Sequence, residues 1–141
     1  MSDKKYKILT EFVSDLSSET KDVETYIFVK DNISKYNLGI DIISKAVKDK
    51  VIEIKTNFKF EDKKDNPKKS YFEITYTTII KVDEEIKEKK DLERIILCDV
   101  QNEIYPRIEK VFINLLETSG YKGIKFDKKI DFEKLYTQRN N

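Results

Sequence analysis

Two segments of this chain alternate apolar and polar residues in the two-residue period of a β-strand, and that pattern limits the fold more than any other feature. In residues 51–60, Ile52, Ile54, Thr56, Phe58 and Phe60 form one face, and Glu53, Lys55, Asn57 and Lys59 the other. Residues 71–82 repeat this, with Phe72, Ile74, Tyr76, Thr78, Ile80 and Val82 inward and Tyr71, Glu73, Thr75, Thr77, Ile79 and Lys81 outward. A slip of one residue would turn each apolar set to water, so the pattern sets the register. The charged connection 61–69 carries Asn66-Pro67 as its turn signal. Together these predict an antiparallel hairpin with one wet face.

Upstream, Tyr36, Leu38, Ile40 and Ile42 alternate as a further strand, and residues 6–14 read as a less regular one. Residues 16–35 read as a long excursion between them, and so long a loop in a small domain is usually functional. After the polar run 83–90 the period becomes helical, through Leu92, Ile95 and Ile96, then Ile104, Ile108, Val111, Phe112 and Leu115. The latter set is expected to serve core and subunit packing. Pro106 suits a first helical turn, which predicts a break near 101–105. Gly120 supplies a helix-closing glycine, and Asp131 caps a short terminal helix. The whole, residues 1–141, is predicted to be one α+β domain: a four-stranded antiparallel sheet with a long helix and a C-terminal helix packed on one face.

With 38% apolar and 39% charged residues, core material is scarce, and domains of this kind often complete their core by oligomerising. The 28 basic and 27 acidic residues leave no global field for nucleic acid or a membrane surface. No stretch approaches the roughly 20 apolar residues that span a bilayer. The opening Met1-Ser2-Asp3-Lys4-Lys5 has no apolar signal-peptide core, so a cytoplasmic protein without stable membrane insertion is expected. Cys98 stands alone and reads as a small core residue. Histidine is absent, which removes Ser-His-Asp and Cys-His catalysis and histidine metal sites. Gly39, Gly120 and Gly123 have the wrong spacing for a phosphate loop. The expectation is a binding protein, not an enzyme, with no cofactor and no metal.

Three stretches, in this order, resemble the SecB family of protein-export chaperones. The first is Tyr6-Lys7-Ile8-Leu9-Thr10-Glu11-Phe12-Val13-Ser14-Asp15-Leu16-Ser17-Ser18-Glu19, similar to that family's opening strand and the acidic segment after it. The second, Tyr26-Ile27-Phe28-Val29-Lys30-Asp31, is similar to its crossover loop. The third runs from Ile104-Tyr105-Pro106 through Ser119-Gly120-Tyr121 to Asp131-Phe132-Glu133-Lys134-Leu135-Tyr136, similar to its long helix, glycine stop and terminal helix.

The resemblance implies a chaperone that holds unfolded secretory preproteins and passes them to the SecA translocation ATPase. It also implies a homotetramer, a dimer of dimers. A SecA-docking surface would then fall on Asp15, Glu19, Tyr71 and Glu73. Rim carboxylates steer encounter with a basic partner segment and set specificity. For Glu73 the alternative is an ordinary solvated strand position, and for 15–19 a polar turn or cap. Client-binding candidates are Tyr26, Phe28 and Ile33 of the crossover segment with Phe132, Leu135 and Tyr136 of the terminal helix. Such side chains bury client surface without directionality, at roughly 25 cal/mol per Å². For the terminal-helix residues the alternative is the core, where an i, i+3, i+4 stripe normally goes. SecB proteins are typically acidic, whereas this chain is at +1. A chaperone dedicated to one partner, such as an antitoxin, is the competing reading. An α+β domain using buried carboxylates for small-molecule chemistry is a more distant one, and the missing histidine argues against it.

Overall fold

The hairpin read from the alternation forms the middle of a four-stranded antiparallel sheet. The computed structural model describes residues 5–64, 66–126 and 130–139. Strands β1 (Tyr6–Glu19), β2 (Asn37–Lys48), β3 (Val51–Glu61) and β4 (Tyr71–Val82) lie in the order β1-β4-β3-β2. Across β3 and β4 the paired residues are Ile52 with Ile80, Ile54 with Thr78, Thr56 with Tyr76, Phe58 with Ile74 and Phe60 with Phe72. All ten side chains are buried, which places the whole even-numbered set on the dry face. Two register shifts, between Ile8 and Thr10 and between Val13 and Asp15, bend the edge strand β1.

Between β1 and β2 the chain must travel from one edge of the sheet to the other. The sequence predicts a loop here, and the structure departs from that expectation. β1 continues to Glu19, and helix α1 (Val23–Asn32) with a 3-10 turn (Ile33–Lys35) fills the rest. Asp22 accepts a hydrogen bond from the Thr25 amide at 2.8 Å and so caps α1. That bond holds the Asp22 carboxyl below the usual carboxylate range. Thr25, Val29 and Ile33 then fall on one buried face.

The second departure concerns the long helix. Helix α2 (Lys89–Arg94), a π-helical turn (Ile95–Asp99) and helix α3 (Val100–Thr118) follow one another directly, and Pro106 sits inside α3. Pro106 and Asn102 both lie on the exposed side of α3, so the carbonyl that proline cannot satisfy is on the solvent side of the helix. The Arg107 guanidinium also donates to the Glu103 carbonyl at 2.7 Å. The irregularity falls instead in the π turn, where the buried Gln101 amide donates to the Ile96 carbonyl at 3.2 Å.

Ile104, Ile108, Phe112 and Leu116 form the fully buried ridge of α3, and Phe112 meets Phe58 edge-on at 6.3 Å. Burying each such side chain stabilises the fold by roughly 1.5–3 kcal/mol. Val111 and Leu115 lie at the margin, half-buried. Gly120, at φ +99°, closes α3 as expected, with its amide on the Glu117 carbonyl and the Tyr121 amide on Leu116. Helix α4 (Phe132–Arg139) is capped by Asp131, which accepts from the Lys134 amide at 3.0 Å. The helices thus cover one face of the sheet, over β3 and β4. The same face of β2 is left partly open: Leu38, Ile40 and Ile42 are only half-buried, and Ser44 and Ala46 are exposed.

Candidate functional site

The open inner side of β2 joins two hollows. One, of about 1010 Å³, is lined by Ile33, Tyr36, Leu38, Ile40, Phe60 and Phe126 among others. The second, of about 500 Å³, lies at the far end over Ala46, Ile52, Val82, Ile86 and Leu92. From Leu38 to Ala46 the strand runs roughly 26 Å at about 3.3 Å per residue. That is the length of about eight residues of extended peptide. β2 is also an edge strand, so an extended chain beside it can be met by backbone groups as well as by apolar side chains.

The wall of the first hollow is held rigid by buried hydroxyls. The Tyr36 ring lies 5.4 Å from that of Phe60. Its hydroxyl donates to the Ser70 carbonyl at 3.2 Å and accepts from the Ser70 amide at 2.9 Å. The Ser70 hydroxyl in turn meets Tyr121 at 3.0 Å and Thr20 at 2.6 Å. Burial raises the Tyr36 hydroxyl above its ordinary pKa, so it stays protonated at neutral pH. The joints between β1, β2, β4 and the end of α3 are fixed by this network.

Of the residues read from the sequence as client contacts, Ile33 is buried and lines the first hollow. Tyr26 stands beside it in a smaller hollow, with its ring 5.2 Å from Tyr121 and its hydroxyl on the Gly120 carbonyl. Phe28 is half-buried on α1. Phe132 is only 2% exposed and packs against Tyr105 at 5.8 Å, so it is spent in the core. Leu135 is exposed and Tyr136 half-buried, with the Tyr136 hydroxyl on the Lys90 carbonyl at 3.4 Å. The sequence reading did not pick out Tyr36, Leu38, Ile40, Phe60 and Phe126 as site residues. Alternation alone assigns an apolar strand face to the core, and it does not reveal that β2 is the strand the helices fail to cover.

The opposite face of the sheet brings Asp15, Glu19, Tyr71 and Glu73 together. Glu19 pairs with Tyr71, Ser17 with Glu73 and Asp15 with Thr75 across β1 and β4. Directly opposed residues in such a pair lie about 4.5–5.5 Å apart. Asp15 and Glu19 are exposed and Tyr71 half-buried. Glu73 is more engaged: its carboxylate accepts from the Asn57 amide at 2.6 Å and lies 4.0 Å from the Lys59 ammonium. On β1, Leu9, Phe12, Val13 and Leu16 are large apolar residues left exposed. Among the described residues, no helix is long and apolar enough to cross a membrane.

Comparison with known proteins agrees with this architecture. The family described as preprotein translocase subunit SecB matches residues 1–141. A protein of Pelagibacter ubique that carries the name protein-export protein SecB is 60% identical over 136 residues, covering 96% of this chain and 97% of that one. Among solved structures, a Mycobacterium tuberculosis SecB-like chaperone in complex with a ChAD peptide from an antitoxin superposes with a TM-score of 0.67. That match covers 89% of this chain and 91% of the other, at 7% identity, and is a likeness of fold.

Proposed function

The chain belongs to the SecB family of chaperones, and from that premise we propose that it holds secretory preproteins unfolded and delivers them to SecA. As a member of that family it acts by binding, not by catalysis. The observation that carries the export reading is the near full-length match, at 60% identity, to a relative named for protein export. The geometry supports it physically. An apolar strip on the inner side of β2 offers burial to any extended apolar segment, with no dependence on its sequence. Many weak contacts along one client add through effective concentration.

In this reading Ile33, Tyr26 and Phe28 border the client path, with Tyr36, Leu38, Ile40 and Phe60 as its floor. Leu135 and Tyr136 lie at its outer margin, and Phe132 anchors α4. Asp15, Glu19, Tyr71 and Glu73 form the SecA-docking face on the other side of the sheet. A cytoplasmic homotetramer, a dimer of dimers, goes with this role, and the exposed Leu9, Val13 and Leu16 on edge strand β1 are surface that assembly would cover. Native mass spectrometry should then show four subunits, and a stable monomer at micromolar concentration would contradict it.

The second reading is a chaperone dedicated to one partner, which the antitoxin peptide in the mycobacterial structure favours for that protein. A pull-down from lysate separates the two. Many signal-bearing precursors together with SecA support export, whereas one dominant protein without SecA supports the dedicated role.

A further inference from the structure

We propose that the SecA-docking surface continues across the outer face of the sheet from β1 to β2. It ends in a hollow over Gly39, where an extended segment of SecA comes close to the backbone. This rests on the reading that Asp15, Glu19, Tyr71 and Glu73 receive SecA. The observation that carries it is a glycine inside a strand with no local reason to be one. Glycine weakens a strand, and where it occurs it marks a bulge, a special backbone conformation or the close approach of another group. The register between β2 and β3 is unbroken from Asn37 to Ala46, so Gly39 is at no bulge. Positive φ is confined to the other two glycines, Gly120 and Gly123. Packing does not require it either. Among the described residues, a Cβ at Gly39 would meet only the Lys59 carbonyl oxygen, at 3.8 Å, which is ordinary contact. Close approach from outside the chain is the reason that remains.

The register puts that position in line with the docking face. Ser17 pairs with Glu73, Glu73 with Lys59 and Lys59 with Gly39, one row across all four strands. The row beside it runs Asp15, Thr75, Asn57 and Asp41. With strands about 4.8 Å apart, each row spans roughly 14 Å, the length of about four extended residues. The hollow at the β2 end, of about 370 Å³, is lined by Gly39, Asp41, Asn57, Lys59, Glu61 and Lys63 among others. Two of these also hold Glu73: the Asn57 amide donates to its carboxylate at 2.6 Å, and the Lys59 ammonium lies 4.0 Å away. The docking carboxylate and the hollow therefore share a wall. Within the two rows the carboxylates of Asp15, Glu73 and Asp41 stand against the ammonium of Lys59, which suits a basic segment. At the hollow itself the signs are even, Asp41 and Glu61 with Lys59 and Lys63, so closeness of fit over Gly39 decides there. A bulky side chain at position 39 would lift the segment off the sheet.

The test measures binding of purified SecA to the full chain and its variants by biolayer interferometry, with thermal unfolding alongside. Gly39→Val puts a strand-favouring side chain into open space, so the melting temperature should hold or rise by a few degrees. SecA binding should nonetheless weaken about 10-fold, and Gly39→Ala, which adds one methyl group, should lose less. Asp41→Lys, at an exposed position, should also weaken binding and reduce its dependence on salt. Lost affinity with retained stability is a result that a merely structural glycine would not give. If Glu73→Lys weakens SecA binding but Gly39→Val does not, the inference is overturned while the docking reading stands. If Gly39→Val instead changes the number of subunits in native mass spectra, the hollow is a contact between copies and the inference is again overturned. If the native chain does not bind SecA, both are overturned.

Discussion

Tyr26 donates its hydroxyl hydrogen to the Gly120 carbonyl at 2.8 Å, and its ring leaves Gly120 no room for a side chain. A Cβ on Gly120 would stand 2.6 Å from Tyr26 Cε1, at a backbone φ of +99°. Gly120→Ala therefore meets both a clash and a left-handed backbone, and should cost about 1–3 kcal/mol. Thermal unfolding should register a fall of several degrees. Tyr26→Ala opens the space, so the double variant should lose less than the sum of the singles. Simple additivity would show that the two residues do not lock α1 to the end of α3.

Thr56 and Thr78 offer a paired contrast inside the core. The Thr56 hydroxyl donates to Gln101 Oε1 at 3.0 Å, whereas the buried Thr78 hydroxyl has no hydrogen-bond partner among the described residues. Threonine and valine have nearly the same shape, so replacement isolates the hydroxyl. Thr78→Val should gain about 1 kcal/mol by removing a desolvated polar group, and Thr56→Val should lose about 1–3 by stranding Gln101. Urea denaturation of both variants checks the opposite signs.

Alkaline pH should unfold the protein through its buried tyrosines. Burial, then the 2.5 Å hydrogen bond to Glu11, push the Tyr76 hydroxyl up to about 12. Tyr6 and Tyr105 are also raised, first by burial and then by Glu103 and Glu109. A folded pKa above the unfolded one favours the protonated fold, so this stability is complete below about pH 10 and is lost as pH rises towards 12. Denaturation midpoints should be flat from pH 6 to 8, where no histidine titrates, and fall above 10. Tyr76→Phe should flatten part of that fall.

Glu73→Lys should separate the two faces of the sheet. Its carboxylate points away from the groove, so reversing the charge should weaken SecA binding by roughly 10-fold or more while aggregation suppression is kept. Asn57 and Lys59 already hold this carboxylate, so Asp15→Lys, at an exposed position, is the control for structural damage. Equal loss of both activities in both variants would show that the face is structural.

The central hairpin was legible because Ile52 to Phe60 and Phe72 to Val82 carry a strand period whose apolar face no one-residue slip preserves. The glycine stop at Gly120 and the cap at Asp131 were legible for the same local reason: one residue type meets one backbone need. Residues 16–35 misled because Leu16 to Glu19 continue an edge strand whose side chains face water, so no burial marks them. Pro106 misled because the carbonyl that proline leaves lies on the solvent side of the helix. In the groove, Ile33 was legible as an apolar position, whereas Phe132 read equally well as core. The floor residues of β2 were hidden because openness is a property of what the helices fail to cover, which no single segment encodes.

The proposed holdase role requires the inner strip of β2 to capture unfolded chain without energy input. Light scattering during dilution of a denatured, signal-bearing precursor tests this directly, with purified protein added in increasing amounts and no nucleotide present. Aggregation should fall to near zero at a fixed stoichiometry, equally at pH 6 and pH 8, and Leu38→Asp with Ile40→Asp should abolish the effect. Undiminished aggregation with the folded native chain, or full protection by the doubly substituted one, would contradict it.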